Sequence, residues 1–271
     1  MPTFNSFNNQ NNNSSSQVVY DFSDKQTKGT FLSKVFGMMF ICLLITTVVA
    51  AGFGYGFQFF LDQGATIQDG VKVYDQNAIT VLMTVLIIDA IALLIMSFVL
   101  PIMFVRGKHN ILVPLMIYVV LMGVFLSAFT FLVDWVILVE AFGITTIIFG
   151  VMGLLGYVSK GRMAGIGVIL LGLIIGAGLL CLLNWVLILT HAISTESSIA
   201  LSWVVSLMIF AFLMLITMYD VYRIKKIAEN GASQDNNLVN YCAYILYSDF
   251  IAILIRVIYF LAIMYGKRRI F

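Results

Sequence analysis

Seven apolar runs, each longer than twenty residues, leave this chain few folds to adopt. A helix needs about 20 apolar residues to cross the hydrocarbon of a bilayer. The runs Phe36–Phe60, Ala78–Val105, Ile111–Val133, Val136–Val158, Met163–Leu189, Ile199–Tyr222 and Tyr241–Tyr265 all meet that length. They predict an all-α integral membrane protein with seven transmembrane helices. Composition agrees: charged residues are 10% of the 271 and hydrophobic ones 61%. A soluble domain carries about 25% charged residues. The apolar surplus must therefore face lipid, so the bilayer is the first expected partner. A formal net charge of +2 gives no reason to expect nucleic acid.

The division expected is a disordered polar tail over 1–30, rich in Asn and Ser, and a seven-span membrane domain over 31–271. No apolar stretch with a cleavage site precedes Lys34, so the first span should act as an uncleaved anchor. Connections are short apart from 61–77 and 223–240, and spans three and four meet at Asp134 as a tight helical hairpin. Positive residues alternate between the two sides. Lys25, Lys28, Lys34, Arg106, Lys108, Lys160, Arg162, Arg223, Lys225 and Lys226 fall on one side, and the other loops hold only Lys72. That pattern places the N-terminus in the cytoplasm. Lys267, Arg268 and Arg269 run against it, because seven crossings leave them outside. A full crossing by 241–265 is still expected, since the run is long enough to span.

Charged residues inside a membrane are costly and mark function by default. The four singled out here are Asp89, Asp220, Asp249 and Arg256. At about 1.5 Å per residue, Asp220 lies roughly 3 Å and Asp249 roughly 12 Å from the cytoplasmic ends of spans six and seven. The two can approach each other. Carboxylates sharing a poorly hydrated site cannot both ionise cheaply and tend to hold one proton between them. Such a pair senses pH and offers oxygen ligands to Ca²⁺. Ca²⁺ takes six to eight oxygens, so two carboxylates alone make a weak, passing site. The plainer reading of Asp220 is a helix-end carboxylate balanced by Arg223, Lys225 and Lys226. Asp89 and Arg256 sit at matching depths, roughly 24 and 22 Å, which makes them candidates for a buried ion pair tying span two to span seven. Gly150, Gly153 and Gly156 in span four, and Gly172 and Gly176 in span five, are expected to let helices pack closely. Cys42, Cys181 and Cys242 show no metal-ligand spacing and read as small apolar packing residues. His109 and His191 read as interfacial.

The order of these residues resembles the Bax inhibitor-1 family, the transmembrane Bax inhibitor motif proteins. The resemblance is carried by Met218–Tyr219–Asp220 with the basic run after it, and by Leu246–Tyr247–Ser248–Asp249–Phe250–Ile251. Phe142–Gly143 through Gly156–Tyr157, Lys160, the Gly-rich fifth span ending at Asn184, and Phe31–Lys34–Val35 also fit. It covers roughly residues 30–266. It implies seven helices with the last one central and wrapped by the other six. It also implies a pH-sensitive Ca²⁺ leak with Asp220 and Asp249 as a di-aspartyl sensor. Eukaryotic members suppress cell death, and a bacterial member is associated with a membrane-bound protease. Two positions depart from the family pattern. Span two carries Asp89 and lacks the Arg that latches the pair in bacterial relatives, and Ala252 stands where an Asn is common. Arg256 and Arg223 are the remaining latch candidates.

Other readings fit less well. An intramembrane aspartyl protease places Gly-x-Gly before its second aspartate, whereas Tyr247 and Ser248 precede Asp249. A retinal protein needs a Lys in its last span, and Tyr241–Tyr265 has none. Gly52–Phe53–Gly54–Tyr55–Gly56 lacks the pore helix that precedes a K⁺ filter. No phosphate loop, zinc spacing or Ser-His-Asp set is present, so no enzyme activity and no cofactor are expected. The expectation is a calcium leak gated by protons, with calcium as permeant ion, in a bacterial plasma membrane. An internal eukaryotic membrane is the second choice of location. The alternative function is a regulatory membrane protein that acts on a protein partner, such as a membrane protease or a cell-death pathway, without transport of its own.

Overall fold

The computed structural model describes residues 25–64, 66–68, 71–107, 110–159, 164–189, 195–229 and 236–268. Residues 1–24 of the expected tail lie outside the described residues, as do Lys108, His109, Lys160, Arg162, His191 and Arg269.

The elements in chain order are α1 (Lys25–Gln63), β1 (Thr66–Gln68), β2 (Val71–Val73), α2 (Gln76–Val105), α3 (Leu112–Ser127), α4 (Phe129–Leu132), α5 (Trp135–Val158), α6 (Ala164–Leu189), α7 (Thr195–Glu229) and α8 (Asn236–Arg268). Seven of these segments are long and apolar enough to cross a membrane, α3 and α4 together making one. The chain is thus an all-helical, multi-pass membrane protein. Its only strands among the described residues pair as a small antiparallel hairpin in the 61–77 connection, with Ile67 opposite Lys72.

Three helices run well past the apolar stretches that announced them. α1 begins at Lys25 rather than Phe36, α7 continues to Glu229 rather than Tyr222, and α8 starts at Asn236 rather than Tyr241. The α1 and α7 extensions carry charge, the α8 extension carries asparagines, and all three bury apolar side chains. Phe31 and Val35 of α1, Ile224 and Ala228 of α7 and Val239 of α8 all join the main core. The helices therefore continue past the apolar stretches as a packed cap at the end where α1 begins.

The third span is not one helix. It breaks at Ala128, where the Ser127 hydroxyl donates to the Val124 carbonyl (2.6 Å) and Thr130 to the Ser127 carbonyl (2.6 Å). Hydroxyls that take up neighbouring carbonyls compete with the helical ladder and bend it. The turn ends at Val133, which is extended, and α5 starts at once after Asp134. The connection is as short as expected, but α3 and α5 do not pack along each other as a helical hairpin.

α8 is the centre. α1, α2, α3, α5 and α7 pack directly on it, while α6 reaches the bundle through α7. Aromatic rings knit this core. Phe250 lodges between Phe142 and Phe149 of α5, with both centroid distances at 5.5 Å. Tyr118 of α3 meets Tyr244 and Tyr247 edge-on. At the N-terminal end of the bundle, Phe104 of α2 stacks flat on Tyr241 at 3.9 Å, and the Ile111 amide donates to Asn237 Oδ1 at 3.2 Å.

Glycines set two of the crossings. A Cβ on Gly156 would collide with the Met218 carbonyl oxygen, so α5 and α7 cross there backbone to backbone. A Cβ on Gly123 would come within 2.7 Å of Val49, which fixes the α1–α3 crossing. The other packing glycines read from sequence differ. Gly153 and Gly176 make ordinary contacts, with Val221 at 3.9 Å and Met208 at 3.8 Å. Gly150 and Gly172 face open space. Spacing alone does not say which glycine meets a backbone.

Candidate functional site

Both aspartates of the suspected pair are buried, on α7 and α8. Both lie well inside their helices, which run past the apolar stretches. Asp220 stands nine residues before the end of α7 and Asp249 thirteen residues after the start of α8. Those counts correspond to about 13 and 19 Å along the axes, a level difference of about 6 Å. The two carboxylates are within electrostatic reach of one another. Asp249 Oδ2 is sealed from solvent without a hydrogen-bond partner.

The residues around Asp249 explain how it is held. Tyr247 is fully buried, and its hydroxyl pairs with Thr46 Oγ1 of α1 at 2.6 Å. Thr46 also donates to the Cys42 carbonyl at 2.9 Å. Ser248 is hydrogen-bonded to the Tyr118 hydroxyl of α3. The tripeptide Tyr247–Ser248–Asp249 thus fans out to α1, α3 and α7 from one turn of α8. Thr46 and Tyr118 were not singled out from sequence, because one hydroxyl in an apolar run looks like any back-bonding helical residue. Thr145 of α5 is a further omission: it is wholly buried, and its hydroxyl has no partner. It lies in the layer where Phe250 wedges between Phe142 and Phe149. Buried polar atoms are nearly always paired, so these unpaired ones mark the layer around Phe250 as unusual in the core.

Asp220 sits directly behind the α5–α7 crossing, two residues after Met218. The charge that acts on it from its own helix is Arg223, which also reaches Tyr241 and Cys242 at the start of α8. Arg223 itself is exposed.

The expected Asp89–Arg256 ion pair does not form. Both Asp89 oxygens are buried without a partner. Arg256 turns into a cleft of about 640 Å³ bounded by Phe129, Leu132 and Val133 on one side and by Ile209 and Leu213 of α7 on the other. Counted from the Phe104–Tyr241 stack, each residue is fifteen positions away. Depth says nothing of direction, however, and Arg256 faces α7 while Asp89 faces inward from α2. Asp249, Ala252 and Arg256 lie on one face of α8 at i, i+3 and i+7. The cleft runs along that face as far as Ala252, one turn short of Asp249.

Comparison with known proteins adds the lineage. A model of the family described as inhibitor of apoptosis-promoting Bax1 matches residues 28–267. The chain belongs to the Bax inhibitor-1 family. It is similar to the inner membrane protein YbhL of Escherichia coli strain K12, with 28% identity over 245 residues, 89% of this chain and 92% of YbhL. YbhL of E. coli O6:H1 strain CFT073 matches to the same extent. Within this Bax inhibitor-1 chain, Asp89 is the only charged residue from Gln76 to Val105, so α2 contributes no cation to the aspartates. Arg223 is the cation placed to act on Asp220, and Arg256 instead lines the cleft beyond Asp249.

Proposed function

We propose that this chain is a non-enzymatic cation leak, permeable to Ca²⁺ and controlled by protons at Asp220 and Asp249, needing no cofactor. The observation that carries this reading is the pair itself: two buried carboxylates on adjoining helices, one with an orphaned oxygen, with a cleft along α8 that stops one turn short of Asp249. Like charges at close range in a poorly hydrated site favour retention of a proton, and its loss leaves oxygens free to meet a cation. No group of three metal-binding side chains occurs among the described residues, so a cation would be held by few ligands and released readily. Arg223 is the latch candidate, with Arg256 guarding the cleft. The basic residues and the inner-membrane relative support a bacterial plasma membrane location with the N-terminus in the cytoplasm.

The test is Ca²⁺ flux into proteoliposomes across a pH series, comparing wild type with Asp220→Asn and Asp249→Asn. Flux should vary with pH in the wild type, and the dependence should flatten in both variants. Pure protein that carries no pH-dependent flux sinks the leak. The second reading is a regulator of a membrane partner, and it predicts that both Asn variants keep partner binding intact.

A further inference from the structure

A second cleft, of about 900 Å³, opens between α1, α5 and α7 at the end of the bundle that carries the N-terminus. Its floor is small, made by Thr146, Gly150 and Gly153 of α5, and its walls are apolar, with Phe36 and Phe149 among them. Gly150 is exposed with nothing near it, so the hollow there is real space and no helix crossing. From Thr146 to Tyr157 the cleft follows eleven residues of α5, about 16 Å, close to half of the ~30 Å hydrocarbon and so to one leaflet. Its volume falls in the ~300–1,000 Å³ range of ligand sites.

The mouth carries both signs of charge. Lys225 Nζ donates to the Tyr157 carbonyl at 2.7 Å and stands 5.2 Å above the Tyr157 ring. An ammonium has three donors, so this leaves two unspent. Glu229 is 3.9 Å away, a loose and partly exposed pair with its own acceptor sites open. A purely anionic headgroup would meet Lys225 but be repelled by Glu229. A choline headgroup has a cation that cannot donate a hydrogen bond. A phosphoethanolamine offers a phosphate for Lys225 and a donating ammonium for Glu229.

We infer that the α1–α5–α7 cleft binds a phosphatidylethanolamine, with one acyl chain over Gly150 and Gly153, the phosphate on Lys225 and the ammonium on Glu229. The bound chain lies against Val221, the residue after Asp220. The inference does not depend on ion conduction and stands or falls separately.

The experiment uses the purified full chain in detergent, with native mass spectrometry and thermal unfolding in added phosphatidylethanolamine, phosphatidylcholine or phosphatidylglycerol. Phosphatidylethanolamine should be retained and raise the midpoint, with the other two weaker by on the order of tenfold. Gly150→Phe fills the cleft and should abolish retention, while Gly172→Phe on α6, equally open, should not. Glu229→Lys makes the mouth cationic and should move the preference to phosphatidylglycerol, a readout that survives if Gly150→Phe does not fold. Equal effects of all three headgroups on the wild type overturn the site, as does full retention by Gly150→Phe or an unchanged preference in Glu229→Lys.

Discussion

α6 and α8 are both apolar spans, yet they sit at opposite extremes of the bundle. α6 is the most apolar of the seven and the least buried, touching the rest through α7. α8 is the least apolar and is among the most buried. In water the order would be reversed. In lipid the tails already solvate Leu and Ile, so burial is reserved for what lipid cannot solvate: hydroxyls, carboxylates and close backbone contacts. Tyr247, Ser248 and Asp249 explain why α8 is the axis, and their absence from α6 explains why it stands outside.

The comparison is most directly broken at glycine. Gly156→Leu pushes a side chain into the Met218 backbone and should cost upwards of ~4 kcal/mol, leaving little monodisperse protein on size exclusion. Gly172→Leu on α6 meets nothing and should shift stability by less than ~0.5 kcal/mol. Equal losses from the two would erase the distinction between core and outer span. Gly123→Ala crowds Val49 and should lower stability by ~1–3 kcal/mol, seen as a reduced unfolding midpoint.

Smaller changes sharpen the polar side of the argument. Asp89→Leu removes two buried oxygens that have no partner, so the midpoint should hold or rise, by ~1 kcal/mol or more. A clear loss would mean that Asp89 has a structural partner in the membrane. Tyr247→Phe deletes one hydrogen bond to Thr46 and should cost only ~0.5–1.5 kcal/mol in thermal unfolding.

Much of this was legible in the sequence, and the remainder was lost for definite physical reasons. The spans follow from apolar length alone, because nothing else in the chain can satisfy its backbone in lipid. Helix ends did not, since the stretches before Phe36 and after Tyr222 are amphipathic and resemble loops to a hydropathy count. Asp220 and Asp249 stood out as charges in spans. Asp89 and Arg256 stood out equally, but their pairing failed because residue counting fixes height and leaves azimuth free. Gly150 and Gly156 look alike in a three-residue repeat, and only the neighbouring Met218 backbone separates them.

The stack of Phe104 on Tyr241 and the Ile111–Asn237 bond bear on how the central helix can move. Sliding α8 along its axis by one residue, about 1.5 Å, would pull both contacts apart at once. A tilt about that end keeps them. The two contacts thus fix the height of α8 against the α2–α3 connection near its first turns.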